Sequence, residues 1–259
     1  MKPFINFSYH AIACLVLLGT CQAFSNNKVS SSSTRLSHPT NSVLLKASTS
    51  EADQRKPWEF FRFVRQSSKF IDILPRKTSK RAVQPGDVLW NPVDTSKSFD
   101  FAPLDDVVMG GASSSTFNGA TGKWIGQVTD ANSGGFIGIR STPVVDLDMS
   151  QCKGIEVKLS ALNKNQKSLR LKVVMRDSTE FNGVAWTTSK SVNGRSLKIA
   201  LDQQAPTLFA KTVESSDPFQ KDQVKSIQLV YSKFEYDGAL NPTFVPGDFA
   251  LQVEEIRAY

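Results

Sequence analysis

Histidine is almost missing from this chain. Its 259 residues include two, His10 and His38, and none after that. Residues 83–259 therefore lack the side chain that serves most nucleophile–base pairs, most general bases near neutral pH and most transition-metal sites. Cysteine is equally thin. Cys14 and Cys21 lie near the start, which leaves Cys152 alone in the body, with no second cysteine for a disulfide or a cysteine-rich zinc site. No Gly-x-Gly-x-x-Gly follows a strand-like run, and no Gly-x-x-x-x-Gly-Lys-Ser/Thr occurs. A dinucleotide fold and a P-loop are set aside accordingly. Carboxylates, lysine, arginine and tyrosine remain for chemistry. These absences point away from an enzyme, and neither a metal nor a cofactor is expected.

Charge is present but concentrated. Residues 1–82 hold thirteen Lys and Arg against four Asp and Glu, a balance of +9 within the overall +7, so residues 83–259 stand at −2. The basic character belongs to the N-terminal third. The body carries no basic footprint of the kind nucleic acid requires, and direct nucleic-acid binding is not expected.

That N-terminal third reads as an address and a tether. Lys2 precedes "AIACLVLLGT", an apolar run of about ten residues, the length of a signal-peptide core and short of the ~20 needed to span a bilayer. Small residues at Cys21 and Ala23 place cleavage before Phe24, giving a signal peptide over 1–23. Residues 24–50 are rich in Ser and Thr, contain three basic residues and no acid, and have transit-peptide composition. Signal followed at once by transit, with Phe after an Ala, resembles the bipartite leader of algae with secondary plastids. The resemblance implies a plastid destination; secretion and the mitochondrion are the alternatives. Residues 51–82 form a basic linker or an amphipathic helix. Within them, 55–81 hold nine basic and two acidic residues, and Trp58, Phe61, Val64, Ile71 and Leu74 approximate a helical stripe, broken at Ser67-Ser68 and ended by Pro75. Such a helix either touches an anionic membrane or acidic partner, or packs on the main domain.

From residue 83 the period changes to two. Ile155, Val157 and Leu159 share one face, as do Leu169, Leu171 and Val173, then Leu197, Ile199 and Leu201, Ile227, Leu229 and Tyr231, and Phe249, Leu251 and Val253. Alternation of this kind marks half-buried antiparallel strands, and turn clusters such as "SVNGR" and "NPTFVPGD" separate them. Ten or more such strands predict one all-β sandwich or jelly roll over 83–259.

One segment stands apart, "DDVVMGGASSSTF" from Asp105. Paired carboxylates suggest an acid/base pair or a cation; paired glycines suggest a phosphate cradle or a tight turn. Adjacent residues of a strand point to opposite faces, which argues against a dyad. As a structural turn, Asp106 would cap backbone N–H groups, Val108 and Met109 would plug the core, and Gly110-Gly111 would let "NSGGF" at 132–136 approach. As a ligand site, Asp105 or Asp106 would supply oxygen to a cation. Trp124, Trp186 and Tyr231 serve either as sugar-stacking platforms or as core.

The segment and its partners, "WIGQV", "NSGGFIGIR", "GIEVKL" and "GDFALQVEEIRAY", together resemble the complex I intermediate-associated protein 30 family over roughly residues 88–259. The family marks fall on Asp106, Val108, Met109, Gly110, Gly111 and Ser113, then on Asn132, Gly134, Gly135, Phe136 and Arg140, then on Gly154, Phe249, Leu251, Val253 and Ile256. The resemblance implies a galactose-binding-like jelly-roll sandwich. It further implies a non-enzymatic, chaperone-like assembly factor whose partners are subunits of a membrane-bound electron-transfer complex. A carbohydrate- or small-ligand-binding module is the alternative function.

Overall fold

The computed structural model describes residues 59–70, 79–94, 98–143, 145–163, 169–180, 183–215 and 217–259. All belong to one compact unit, Ser50–Tyr259. The expected signal and transit segments, and Trp58, Ile71 and Leu74 of the helical stripe, lie outside the described residues.

A short helix, α1 (Phe60–Ser67), runs into a 3-10 turn, Ser68–Phe70. The strands among the described residues are β1 (Lys80–Ala82), β2 (Val88–Trp90), β3 (Phe99–Pro103), β4 (Ser114–Asn118), β5 (Lys123–Val128), β6 (Phe136–Pro143), β7 (Asp146–Asp148) and β8 (Gly154–Ala161). They continue with β9 (Arg170–Arg176), β10 (Ala185–Ser191), β11 (Ser196–Ala200), β12 (Ala205–Leu208), β13 (Lys211–Thr212), β14 (Ser226–Ser232) and β15 (Gly247–Ala258).

Two sheets stack. One has seven strands in the order β13-β12-β10-β9-β14-β6-β3; the other has the order β11-β8-β15-β5-β4, with β2 added against β15. Pairing within both is antiparallel. β1 and β7 form a small parallel pair. This is the all-β jelly-roll sandwich that the resemblance implies.

The period-two sets supply the core. Ile155, Val157 and Leu159 of β8 and Phe249, Leu251 and Val253 of β15 face Leu171 and Val173 of β9 and Ile227, Leu229 and Tyr231 of β14 in a single buried cluster. Burying each large apolar side chain of this kind contributes about 1.5–3 kcal/mol. At the C-terminal end the pattern slips by one, from Val253 to Ile256. A β-bulge between Val253 and Glu255 accounts for it, because the inserted residue returns Ile256 and Ala258 to the inner face.

Helix α1 packs on the sandwich, but not by its apolar stripe. Gln66 and Ser67 of the helix and Phe70 beyond it are buried, whereas Phe61 and Val64 face outward. The helix is docked by its polar side.

Candidate functional site

β3 is an edge of the seven-stranded sheet and β4 an edge of the other. The segment joining them, which contains Asp105–Gly111, therefore crosses between sheets. The segment from β5 to β6 makes the same kind of crossing, since β5 lies in the six-stranded sheet and β6 in the seven-stranded one. The two crossings meet at one corner of the sandwich, and Asp106 joins them.

Asp105 is extended, and Asp106 opens a 3-10 turn, Asp106–Met109. This change of backbone lets both side chains turn inward, contrary to the strand alternation expected for adjacent residues. Both are almost wholly buried, at 0% and 1% exposure. Asp106 Oδ1 accepts the Ser113 N–H at 2.8 Å, and Oδ2 accepts the Ser113 hydroxyl at 2.6 Å and the N–H groups of Gly135 at 2.8 Å and Phe136 at 3.3 Å. Asp105 Oδ2 accepts the Ser115 N–H at 2.8 Å and Gln66 Nε2 at 2.9 Å; Oδ1 accepts the Ser115 hydroxyl at 2.6 Å and the Gly138 N–H at 3.4 Å. The Asp105 N–H donates in return to Gln66 Oε1 at 2.9 Å.

Every carboxylate oxygen of the pair thus receives a protein donor. Charge-assisted bonds of this kind are the strong ones. The arrangement fastens helix, turn and two strands together. It presents neither an acid/base dyad nor an outward oxygen for a cation, and among the described residues no group of three His, Cys, Asp or Glu is placed to hold a metal. Burial raises the Asp105 pKa above the ordinary carboxylate value, and the bonds from Ser115 and Gln66 pull the other way.

The glycines make room for the carboxylate. A Cβ on Gly111 would come within 2.5 Å of Asp106 Oδ1, and one on Gly134 would collide with Oδ2. Gly110 does something different: its φ of 89° closes the turn in the left-handed region, with open space where a Cβ would sit. Asn132, itself at φ 58°, donates from Nδ2 to the Gly110 carbonyl at 3.2 Å, a second tie between the crossings. Ser113 also accepts the Thr129 N–H on its hydroxyl at 3.0 Å.

Other expected roles are corrected. Met109 does not plug the core; it is 67% exposed, and Val107 is the buried residue of the turn, with Val108 half-buried against Phe70, Ala102 and Leu104. Phe136 is half-buried at the start of β6. Arg140 is buried on β6, its guanidinium 5.4 Å from the Phe70 ring centroid. Gln66, Phe70 and Ser115 belong to the site and are not among the sequence candidates. Gln66 sits 39 residues from Asp105 with no local signature. Ser113 and Ser115, hydroxyls two apart after two adjacent acids, were a readable signal.

The proposed stacking rings are core. Trp124 is buried against Phe249, centroids 4.7 Å apart, edge to face. Tyr231 is buried, with its hydroxyl accepting the Val245 N–H at 2.8 Å. Trp186 is half-buried beside Phe219.

Compared with known proteins, residues 91–253 match the family model described as complex I intermediate-associated protein 30, a span that contains both crossings. No curated protein matches the chain. Similar solved structures include a family 11 carbohydrate-binding module from Clostridium thermocellum in complex with a β-1,3-1,4-mixed-linked tetrasaccharide. It is 13% identical, with 67% of this chain and 95% of that one covered and a TM-score of 0.44. The family 11 module of the cellulosomal cellulase Lic26A-Cel5E of Clostridium thermocellum is 12% identical, covering 68% and 96%, TM-score 0.41. An exo-β-agarase is 12% identical, covering 67% of this chain and 25% of its own, TM-score 0.38. Likeness at this level says nothing about a ligand.

Proposed function

Because the chain belongs to the complex I intermediate-associated protein 30 family, we propose that it is a non-catalytic, chaperone-like factor for assembly of a membrane-bound electron-transfer complex. The observation that carries this reading is the family match over 91–253, which takes in both inter-sheet crossings and the buried aspartates that join them. The geometry is in keeping with it. Carboxylates saturated by internal donors stiffen a scaffold; they do not turn over a substrate. The partners are unfinished subunits of the complex, held until later ones arrive.

The leader supports a plastid setting, so the client is a photosynthetic or NADH-dehydrogenase-like complex; with a mitochondrial destination it is respiratory complex I. Deleting the gene and separating detergent-solubilised membranes on native gels tests the proposal. A stalled subcomplex, restored by re-expression, is the expected result. An unchanged set of complexes defeats it.

A further inference from the structure

Helix α1 is amphipathic, yet it is mounted back to front. Gln66 anchors it to Asp105, Arg62 donates to the Ser113 carbonyl at 2.6 Å, and Phe70 beyond its end lies under Arg140. A helix held by its polar side turns its other arc to solvent. Residues at i, i+1 and i+4 share one arc, and here that arc carries Phe60, Phe61 and Val64, with Phe61 88% exposed. Arg65 and Lys69, both exposed, stand along its rim. Met109 adds an exposed apolar side chain from the turn on which α1 rests.

We infer that this face of α1 docks on an anionic lipid surface, with Phe61 and Val64 entering the headgroup region and Arg65 and Lys69 meeting lipid phosphates. Charge selects this occupant. Among the described residues 59–70, Arg62, Arg65 and Lys69 stand against one acid, Glu59, so two copies meeting through this face would repel, whereas an anionic leaflet attracts it. At eight residues, α1 is far short of the ~20 needed to span a bilayer, so its own contact is peripheral. Rigid docking of α1 fixes the orientation: the corner of the two crossings faces the bilayer. The inference stands whatever the client of the assembly reaction.

Residues 50–259 form the compact unit and contain every buried core residue among the described ones, so this fragment is the one to test. It is pelleted with phosphatidylcholine vesicles, with and without phosphatidylglycerol. Expected is binding to the anionic vesicles that weakens with salt. Phe61→Ser and Val64→Ser each weaken it by about ten-fold. Arg65→Glu and Lys69→Glu each weaken it by about five-fold or more. All four side chains are exposed, so thermal unfolding should be unchanged. Failure of the parent fragment to bind overturns the inference. So does binding that survives Phe61→Ser and Val64→Ser. A dimer seen by light scattering and lost in Phe61→Ser, without vesicle binding, replaces lipid with a second copy of the chain.

Discussion

Asp106 collects four donors from Ser113, Gly135 and Phe136 in a site closed to water. Asp106→Ala would take this acceptor from the three N–H groups, while the Ser113 hydroxyl keeps the Thr129 carbonyl at 3.0 Å. At ~1–3 kcal/mol for each stranded group, partly relieved by relaxation, a loss of at least about 3 kcal/mol is expected in urea unfolding. The glycines should rank by what a methyl meets. Gly111→Ala and Gly134→Ala drive a Cβ into the carboxylate and should cost more than Gly110→Ala, where only the left-handed φ is opposed, at about 1–2 kcal/mol. Asp105 has a distinct acid signature. Its native pKa is raised by burial, so between the unfolded and native values the folded state binds more protons. Its contribution to stability is complete below the ordinary carboxylate value of about 3.9 and is lost as pH rises through the raised one. The stability of the parent relative to Asp105→Asn should therefore increase as pH falls from neutrality toward that value, measured by urea unfolding across pH. The sequence flagged both aspartates as unusual. What it hid was their direction, because a strand-to-turn switch between residues 105 and 106 sends both inward.

For the strands, sequence was a good guide. Alternation is a direct readout of which side of a pleated ribbon is dry, and the sets on β8, β11, β14 and β15 all lie in the core. Even the slip before Ile256 is visible in the spacing, although a bulge is needed to explain it. Helix α1 was harder. Its stripe of Phe61 and Val64 is real, but a stripe reports amphipathicity and not which side is docked. Here two buried bonds between Gln66 and Asp105 decide, and a partner 39 residues away leaves no periodic trace. Gln66→Ala should release the helix while sparing the sandwich. Hydrogen exchange is expected to show lost protection at 60–70 with little change in β8 or β15, and a cost of about 1–3 kcal/mol.

Across the whole molecule, the aromatic residues divide the two functional readings. Trp124 lies in the core against Phe249. Trp124→Ala should destabilise by about 3–5 kcal/mol, seen as a lower melting temperature. A carbohydrate-binding role carried by this ring would instead predict lost glycan affinity in a protein of unaltered stability. One further consequence concerns the order in which the sandwich is made. β15 is a central strand, flanked by β8 and β5 and joined by β2, and every one of them precedes it in the chain. During synthesis the six-stranded sheet has no middle until its closing strand emerges. Each earlier neighbour must wait with its inner edge unsatisfied. The six-stranded sheet therefore cannot close before β15 has been translated.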